Sequence, residues 1–368
     1  MLVAQDNPLD QYLMRHPDFF FGRPHEHARI RPENPYVLDP HLLCAAYEMP
    51  LSEKDAALYG DGFAAHVARL TDEGSLNERN GKWFISPSVE YPAQDVNIRS
   101  ASHTQYLAVE SQSGRVLEHL DESAAFSQLH PGAVYLHQGE SYIVENLDLA
   151  AGVAYLTTTD VPYYTESRDV TDIRTVETKA SKTLNGAVVH VGEVEVSRQV
   201  IGYRKRGFYS ADAKDEDLGD ELLDLPTRVF RTVAFWFDLP ALTFNRALRD
   251  KEDLAGGLHA MEHAAIGVLP LFALCDRNDI GGVSTPMHQD TGEPQVFIYD
   301  GHPGGVGIAE HGFDVVEELL GATLAAIEEC PCTEGCPSCV QSPKCGNNNN
   351  PLDKQQAAVY LRDLLGRG

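Results

Sequence analysis

Cys330-Pro-Cys332-Thr-Glu-Gly-Cys336-Pro-Ser-Cys339-Val-Gln-Ser-Pro-Lys-Cys345 is the stretch that decides how the end of this chain folds. It holds five of the seven cysteines. Nothing in the sequence marks a secreted chain, and dense cysteines outside an oxidising compartment more often bind metal than form disulfides. Zinc takes four thiolate or imidazole ligands in a tetrahedron. Cys336-Pro-Ser-Cys339 fits the tight knuckle that presents two sulfurs to one ion; Gly335 lets the backbone turn into it, and Pro337 and Pro343 stiffen it. Cys332, Cys345 and Cys330 can each reach the same ion, so five thiols compete for four places. With every place filled by protein, the zinc is structural rather than catalytic. A thioredoxin-like redox pair needs a strand before the knuckle and a helix after it, which Pro337 and the later cysteines fit poorly. Cys44 and Cys275 stand alone in apolar surroundings and are expected to be buried core thiols.

Outward from the cysteines, residues 226–368 read as α/β. Val229–Phe237 and Gln295–Asp300 are strands. His259–Leu274 is an apolar helix interrupted by Pro270, Phe313–Glu329 an amphipathic helix leading into the cysteines, and Gln355–Leu365 a closing helix. Residues 95–225 read as a β-rich domain, with runs at Tyr106–Glu110, Ala133–His137, Ser141–Asn146, Val153–Thr159, Val188–Val196 and Gln199–Tyr203 separated by turn signals, the pattern of a small barrel or sandwich. Residues 210–225 are acidic and expected to form an exposed loop.

Residues 36–94 carry the order of a winged helix. Leu42, Leu43, Ala46 and Tyr47 have helical spacing. Ser52 and Asp55 have the spacing of a capping box. Asp61 can cap a third helix with Phe63, Val67 and Leu70 on one face, ended by Gly74. Asn80-Gly81 between two short strand-like runs signals a type I′ hairpin, the wing. Residues 1–35 read as a docked connector, and Leu2-Val3-Ala4 resembles the tail of a strand, so the chain is expected to be cut from something longer.

The 368 residues carry a net charge of −26. Affinity for nucleic acid comes largely from neutralising phosphates, so the charge taken alone argues against such a partner. It does not exclude a local basic surface. Arg198, Arg204, Lys205 and Arg206 form one basic cluster, read first as a solvated strand end. No apolar run approaches the roughly 18 residues a membrane span needs, and the N-terminus lacks the pattern of a signal peptide. The expected setting is cytoplasmic, near the nucleoid, with no membrane partner and a monomeric chain.

Two further motifs invite chemistry. His259-Ala-Met-Glu-His263 matches the H-x-x-E-H pattern of one zinc peptidase group, and a helix puts both histidines on one face. No distal glutamate ligand can be identified, and the helix continues as an interior sequence, so the motif reads as structural. Asp300-Gly-His-Pro-Gly-Gly-Val-Gly307 lacks the G-x-G-x-x-G spacing and reads as a tight strand-to-helix turn, with Asp276, Asp279 and His302 able to cluster beside it. There is no G-x-x-x-x-G-K-[ST] loop and no Asp-Glu-x-His strand end, so this chain cannot hydrolyse ATP by the phosphate-loop mechanism.

Together the pieces resemble a known family. The run from Cys330 to Gly346 followed by Pro351-Leu-Asp-Lys354 resembles the zinc-binding domain of superfamily 2 helicases of the mitomycin-repair-factor type. Glu262-His-Ala-Ala-Ile-Gly-Val-Leu-Pro-Leu, Asp279-Ile-Gly-Gly and Tyr299-Asp-Gly-His-Pro-Gly-Gly-Val-Gly are similar to the same family, and Asn7-Pro-Leu-Asp-Gln-Tyr-Leu and Glu33-Asn-Pro-Tyr-Val-Leu to the linker and winged helix of its Hrq-type, RecQ-related branch. The resemblance implies the part of a 3′-to-5′ ATP-dependent DNA-repair helicase that follows two RecA-like motor domains, with ATP and Mg2+ confined to that absent motor. It narrowly favours Cys330, Cys332, Cys336 and Cys339 as zinc ligands, with Cys345 as substitute.

The expectation is thus a mixed α+β multidomain chain: a linker (1–35), a winged helix (36–94), a β-rich barrel-like domain (95–225) and an α/β zinc-binding domain with a four-cysteine site (226–368). It is non-catalytic by itself and binds single-stranded and duplex-junction DNA, with Arg69, Arg79 and Lys82 as first phosphate contacts. A protein-interaction module without DNA contact and an H-x-x-E-H metallohydrolase are the rival readings.

Overall fold

A computed structural model describes residues 3–24, 28–96, 104–208 and 217–368. Helix α1 (Pro8–Arg15) starts on the Asn7 side chain, and α2 (Pro17–Phe21) follows it. These lie on the C-terminal part of the chain: a Cβ added at Gly267 would meet Pro8 Cγ at 2.9 Å, and His16 Nε2 sits 2.9 Å from Glu329.

The winged helix comprises α3 (Pro35–Glu48), β1 (Leu51–Ser52), α4 (Ala56–Tyr59), α5 (Phe63–Asp72), β2 (Leu76–Arg79) and β3 (Lys82–Ile85), with sheet order β1-β3-β2. The Ser52–Asp55 capping box is present. Asp61 does not cap α5, whose N-cap is Gly62 with no side-chain bond. Leu38, Leu42, Phe63, Val67, Leu70 and Leu76 make one small core. Asn80 and Gly81 both have positive φ (54° and 71°), as a type I′ turn demands.

A second unit contains β4 (Gln105–Glu110), β5 (Val116–Asp121), α6 (Glu122–Gln128), β6 (Val134–His137), β7 (Glu140–Asp148) and β8 (Val153–Thr158), in sheet order β5-β4-β8-β7-β6. Its core is Tyr106, Phe126, Leu129, Tyr142, Val144 and Leu156.

The remaining sheet has six strands: β9 (Tyr163–Leu184), β10 (Ala187–Gly207), β11 (Asp217–Leu222), β12 (Arg228–Asp238), β13 (Ile280–Thr285) and β14 (Gln295–Asp300). β9 and β10 form one long hairpin, where the sequence showed two short runs and nothing for β9. β9 is predominantly polar and lacks a continuous apolar alternation, so its pairing comes from β10. β11 falls in the stretch expected to be a loop; residues 210–216 of that stretch lie outside the described residues. The position expected to divide two domains, residue 225, lies between strands of one hydrogen-bonded sheet, because β10 pairs with β12 from Val189 to Arg198.

This sheet curls toward closure. The loop after β13 reaches back to β9 through His288 Nε2 to the Ile173 carbonyl (3.1 Å) and the Gln289 amide to Asp172 (2.8 Å). Ile173, Val194, Val196, Trp236, Phe297 and Tyr299 fill the inside of the curl. The other face carries Val189, Val191, Phe235, Phe237, Val296 and Ile298 against helices. Further along β10, Val200 joins the core of the five-stranded sheet, so one strand threads three apolar clusters.

The helical layer is α7 (Ala241–Asp250), α8 (Leu254–Val268), α9 (Ile308–Asp314), α10 (Val316–Glu328) and α11 (Lys354–Leu364). α8 and α11 approach closely because Gly257 has no side chain; a Cβ there would meet Tyr360 Cε2 at 2.6 Å. Cys44 and Cys275 are half-buried rather than fully enclosed.

Candidate metal centre and nucleic-acid interface

α10 delivers the chain to Cys330, which packs with Cys339 into the main core. Gly335 then turns with φ of 105°, where a Cβ would also strike Val340 at 2.6 Å. The knuckle closes by Cys339 N–H donating to Cys336 O (3.0 Å) and Val340 N–H to the same oxygen (3.1 Å). The four sulfurs of Cys330, Cys332, Cys336 and Cys339 lie within 4.8 Å of one another. Individual Sγ···Sγ distances are 3.6 Å (330–332), 3.5 Å (330–336), 3.5 Å (332–339) and 3.8 Å (336–339). A zinc–sulfur bond of ~2.3 Å puts the edges of a tetrahedron at ~3.8 Å, so this donor set fits a zinc ion.

The surroundings suit a thiolate-rich ion. Four thiolates on Zn2+ leave a net charge of two negatives. The Lys354 ammonium, 6% exposed, donates to Cys330 O (2.8 Å), Cys332 O (2.6 Å) and Cys332 Sγ (3.3 Å). Cys336 N–H points at Cys339 Sγ (3.4 Å). Burial raises the Cys332 thiol, but hydrogen bonds from Cys339, Cys336, Cys330 and Lys354 outweigh it and hold the thiol at about 7. Burial keeps Cys339 well above an ordinary thiol.

Cys345 sits elsewhere, beside His259 Nε2 (3.4 Å), and with His259 and His263 it forms a separate group. The Glu262 carboxylate of the same motif is engaged by Ser284 and lies against Gly282 on β13, and burial pushes its carboxyl up to about 7. The motif therefore does not assemble a base beside two histidines.

The glycine-rich turn after β14 serves as a joint. Asp300 accepts N–H bonds from Val306 (2.6 Å), Gly307 (2.9 Å) and Ala309 (2.7 Å), starting α9. Buried Asn34 caps α3 by accepting from Tyr36 N–H (2.9 Å) and donates to Pro303 O (2.9 Å) and Gly305 O (2.7 Å). The winged helix is thereby tied to the sheet at its first residue. His302 Nε2 meets Asp279 at 3.0 Å.

Of the three residues expected to meet phosphate, Arg69 spends its guanidinium on Asp39 (2.9 and 2.5 Å), which also holds His66 at 2.6 Å. Arg79 and Lys82 flank the wing turn and are exposed. The basic cluster on β10 is matched charge for charge: Arg198 with Asp169, Arg204 with Asp220, Lys205 with Glu221, Arg206 with Glu166. Sequence reading missed this ladder, because its acidic partners on β9 and β11 are 16 to 40 residues away.

A winged helix joined to a curled sheet and a tetracysteine group that fits zinc defines a metal-binding, winged-helix class of region. Two family models match: the winged helix domain of the ATP-dependent helicase HRQ1 over residues 30–101, and the MrfA Zn-binding domain over residues 261–340. The chain is 33% identical over 344 residues to the uncharacterized ATP-dependent helicase YprA of Bacillus subtilis, covering 92% of this chain and 45% of the relative. It is 25% identical to the ATP-dependent helicase HRQ1 of Saccharomyces cerevisiae, over 100% of this chain and 35% of that protein. Among solved structures, the DUF1998 helicase MrfA bound to DNA matches with a TM-score of 0.57 and 31% identity, over 98% of this chain and 47% of that one. Two stretches of the chain thus match domains of Hrq1- and MrfA-type helicases, and nearly its whole length is similar to MrfA. The chain spans less than half the length of these relatives. Among the described residues no helix is long and apolar enough to cross a membrane.

Proposed function

We propose that this chain is the DNA-handling, non-motor region of an ATP-dependent DNA helicase of 3′-to-5′ polarity acting in DNA repair, with Cys330, Cys332, Cys336 and Cys339 holding a structural zinc. The observation that carries the reading is the match along nearly the whole chain to MrfA, a helicase solved with DNA bound. ATP and Mg2+ belong to motor domains of the parent protein. The zinc fixes a loop-rich segment, residues 329–353, that contains no helix or strand of its own. Arg79 and Lys82 on the wing are the phosphate contacts, since an exposed cation at a hairpin tip can meet a backbone without breaking an internal pair.

Fluorescence anisotropy of labelled single-stranded and forked DNA tests this. Binding at low salt that weakens steeply with added salt is the expected result. Arg79→Glu with Lys82→Glu should reduce the magnitude of the single-strand salt slope by about 1.4, roughly 0.7 per phosphate. No binding at low salt would remove the direct DNA role of this region and leave protein interaction as its task.

A further inference from the structure

Three features have no part in the DNA-handling function: the histidines of His259-Ala-Met-Glu-His263, the fifth clustered cysteine, and the run Asn347–Asn350. The fold brings all three to one place. We propose that His259, His263 and Cys345 form a second metal site, a centre of two imidazole nitrogens and one thiolate for a divalent ion of borderline softness such as zinc, separate from the four-cysteine site.

The ligand atoms of these residues all lie within 4.8 Å of one another. His259 and His263 are one helical turn apart on α8, with ring centroids 4.2 Å apart. Each ring is already oriented. His259 Nδ1 lies 2.7 Å from the Pro351 carbonyl, and His263 Nδ1 lies 2.9 Å from the Val340 carbonyl. A carbonyl only accepts, so both Nδ1 atoms carry the proton and both Nε2 lone pairs are left free. Metal-binding imidazoles are held in this way by a partner on the other nitrogen. His259 Nε2 stands 3.4 Å from Cys345 Sγ. Bonds of ~2.1 Å to nitrogen and ~2.3 Å to sulfur put a tetrahedral N···S edge at ~3.6 Å.

The cysteine is prepared as well. Asn349 N–H points at Cys345 Sγ at 3.2 Å, and the Asn349 side chain is fixed by Ser342 N–H (2.7 Å) and Ser342 O (3.0 Å). Asn348 and Asn349 hold φ of 54° and 57°, the left-handed region that asparagine tolerates better than other side chains. The asparagine run thus brings a backbone N–H to the Cys345 sulfur. Two neutral imidazoles and one thiolate suit zinc and its neighbours rather than calcium or magnesium, which prefer oxygen. Three protein ligands leave a fourth position for water or an exchangeable group. Glu262 faces β13, so the site is assigned metal binding and no hydrolysis.

The full chain, purified in zinc-containing buffer and desalted, is analysed for metal per chain. The wild type should carry two ions. Cys345→Ser and, independently, His259→Gln should each carry one, while Cys339→Ser loses the other. Cobalt titration separates the two environments, since one thiolate gives a weaker charge-transfer band than four. His259 is only partly buried, so His259→Gln remains informative where Cys345→Ser unfolds, with circular dichroism as the check. One ion in the wild type at zinc saturation would overturn the proposal, as would two ions retained in both His259→Gln and Cys345→Ser.

Discussion

Lys354→Met removes the ammonium buried against the four-cysteine site while keeping most of the side-chain volume. The wild-type ammonium makes contacts of 2.8, 2.6 and 3.3 Å to Cys330 O, Cys332 O and Cys332 Sγ. Hydrogen bonds from a charged donor contribute ~1.5–3 kcal/mol each, and leaving a buried carbonyl unpaired costs ~1–3 kcal/mol. These contacts share one nitrogen and are not additive, so the whole loss is about 3–5 kcal/mol. That is a large part of the ~5–15 kcal/mol that stabilises a typical domain. The electrostatic part falls on the metal: losing one positive charge beside a doubly negative zinc–thiolate group should weaken zinc binding ~10–100-fold, the range seen for outer-shell partners of metal ligands. Denaturant midpoints followed by circular dichroism give the first quantity, and competition with a chromophoric chelator gives the second. A variant within about 0.5 kcal/mol of wild type with unchanged zinc affinity would refute this role of Lys354.

Zinc removal itself should act on folding: a strong chelator is expected to lower the melting temperature and expose the thiols of Cys332 and Cys336 to a thiol reagent, and an unchanged melting curve would count against a structural ion. Gly257→Ala should destabilise by ~1–3 kcal/mol, because the new methyl meets Tyr360 Cε2 at 2.6 Å and Gln356 Cβ at 2.9 Å, as read from the denaturant midpoint. Arg69→Met should lower winged-helix stability, since Asp39 Oδ2 loses both of its guanidinium donors, yet leave DNA affinity near wild type; a loss equal to that of the Arg79/Lys82 double variant would show that Arg69 also meets phosphate. Asp220 is held below the usual carboxylate range, first by its hydrogen bond from Arg204 and also by Arg168. A depressed carboxylate stabilises the fold above its ordinary range near pH 4 and loses that contribution as pH falls. Asp220→Asn should therefore cost at most about 1 kcal/mol at pH 7, for a largely solvated pair, and progressively less as pH falls below the ordinary carboxylate range, measured as the difference in melting temperature along an acid pH series.

Some of this protein is written locally. The Asn80-Gly81 wing turn, the Ser52–Asp55 capping box, the buried strand Gln295–Asp300 and the Cys336–Cys339 knuckle each depend on residues within a few positions of one another. Backbone conformation and short-range hydrogen bonding decide such features, and composition and spacing expose both. The resemblance to a helicase family was legible for the same reason, since its motifs are contiguous.

Other decisions belonged to the tertiary structure. β9 carries too few regularly spaced apolar residues to announce a strand, and it exists because the long strand β10 pairs along it. The basic cluster of β10 was visible, but its neutralisation by Asp169, Asp220, Glu221 and Glu166 was not, because cross-strand partners follow from register rather than from proximity in sequence. The fifth cysteine shows the division most sharply. Spacing alone left five thiols for four places, with Cys330 able to reach only through an awkward Cys-x-Cys backbone and Cys345 as its competitor. The fold places Cys330 with the other three sulfurs at the end of α10 and carries Cys345 across to the histidines of α8, some 86 positions earlier. Which thiols meet which ligands is a question of distance in space, and only the packing of α8 against the cysteine loop answers it.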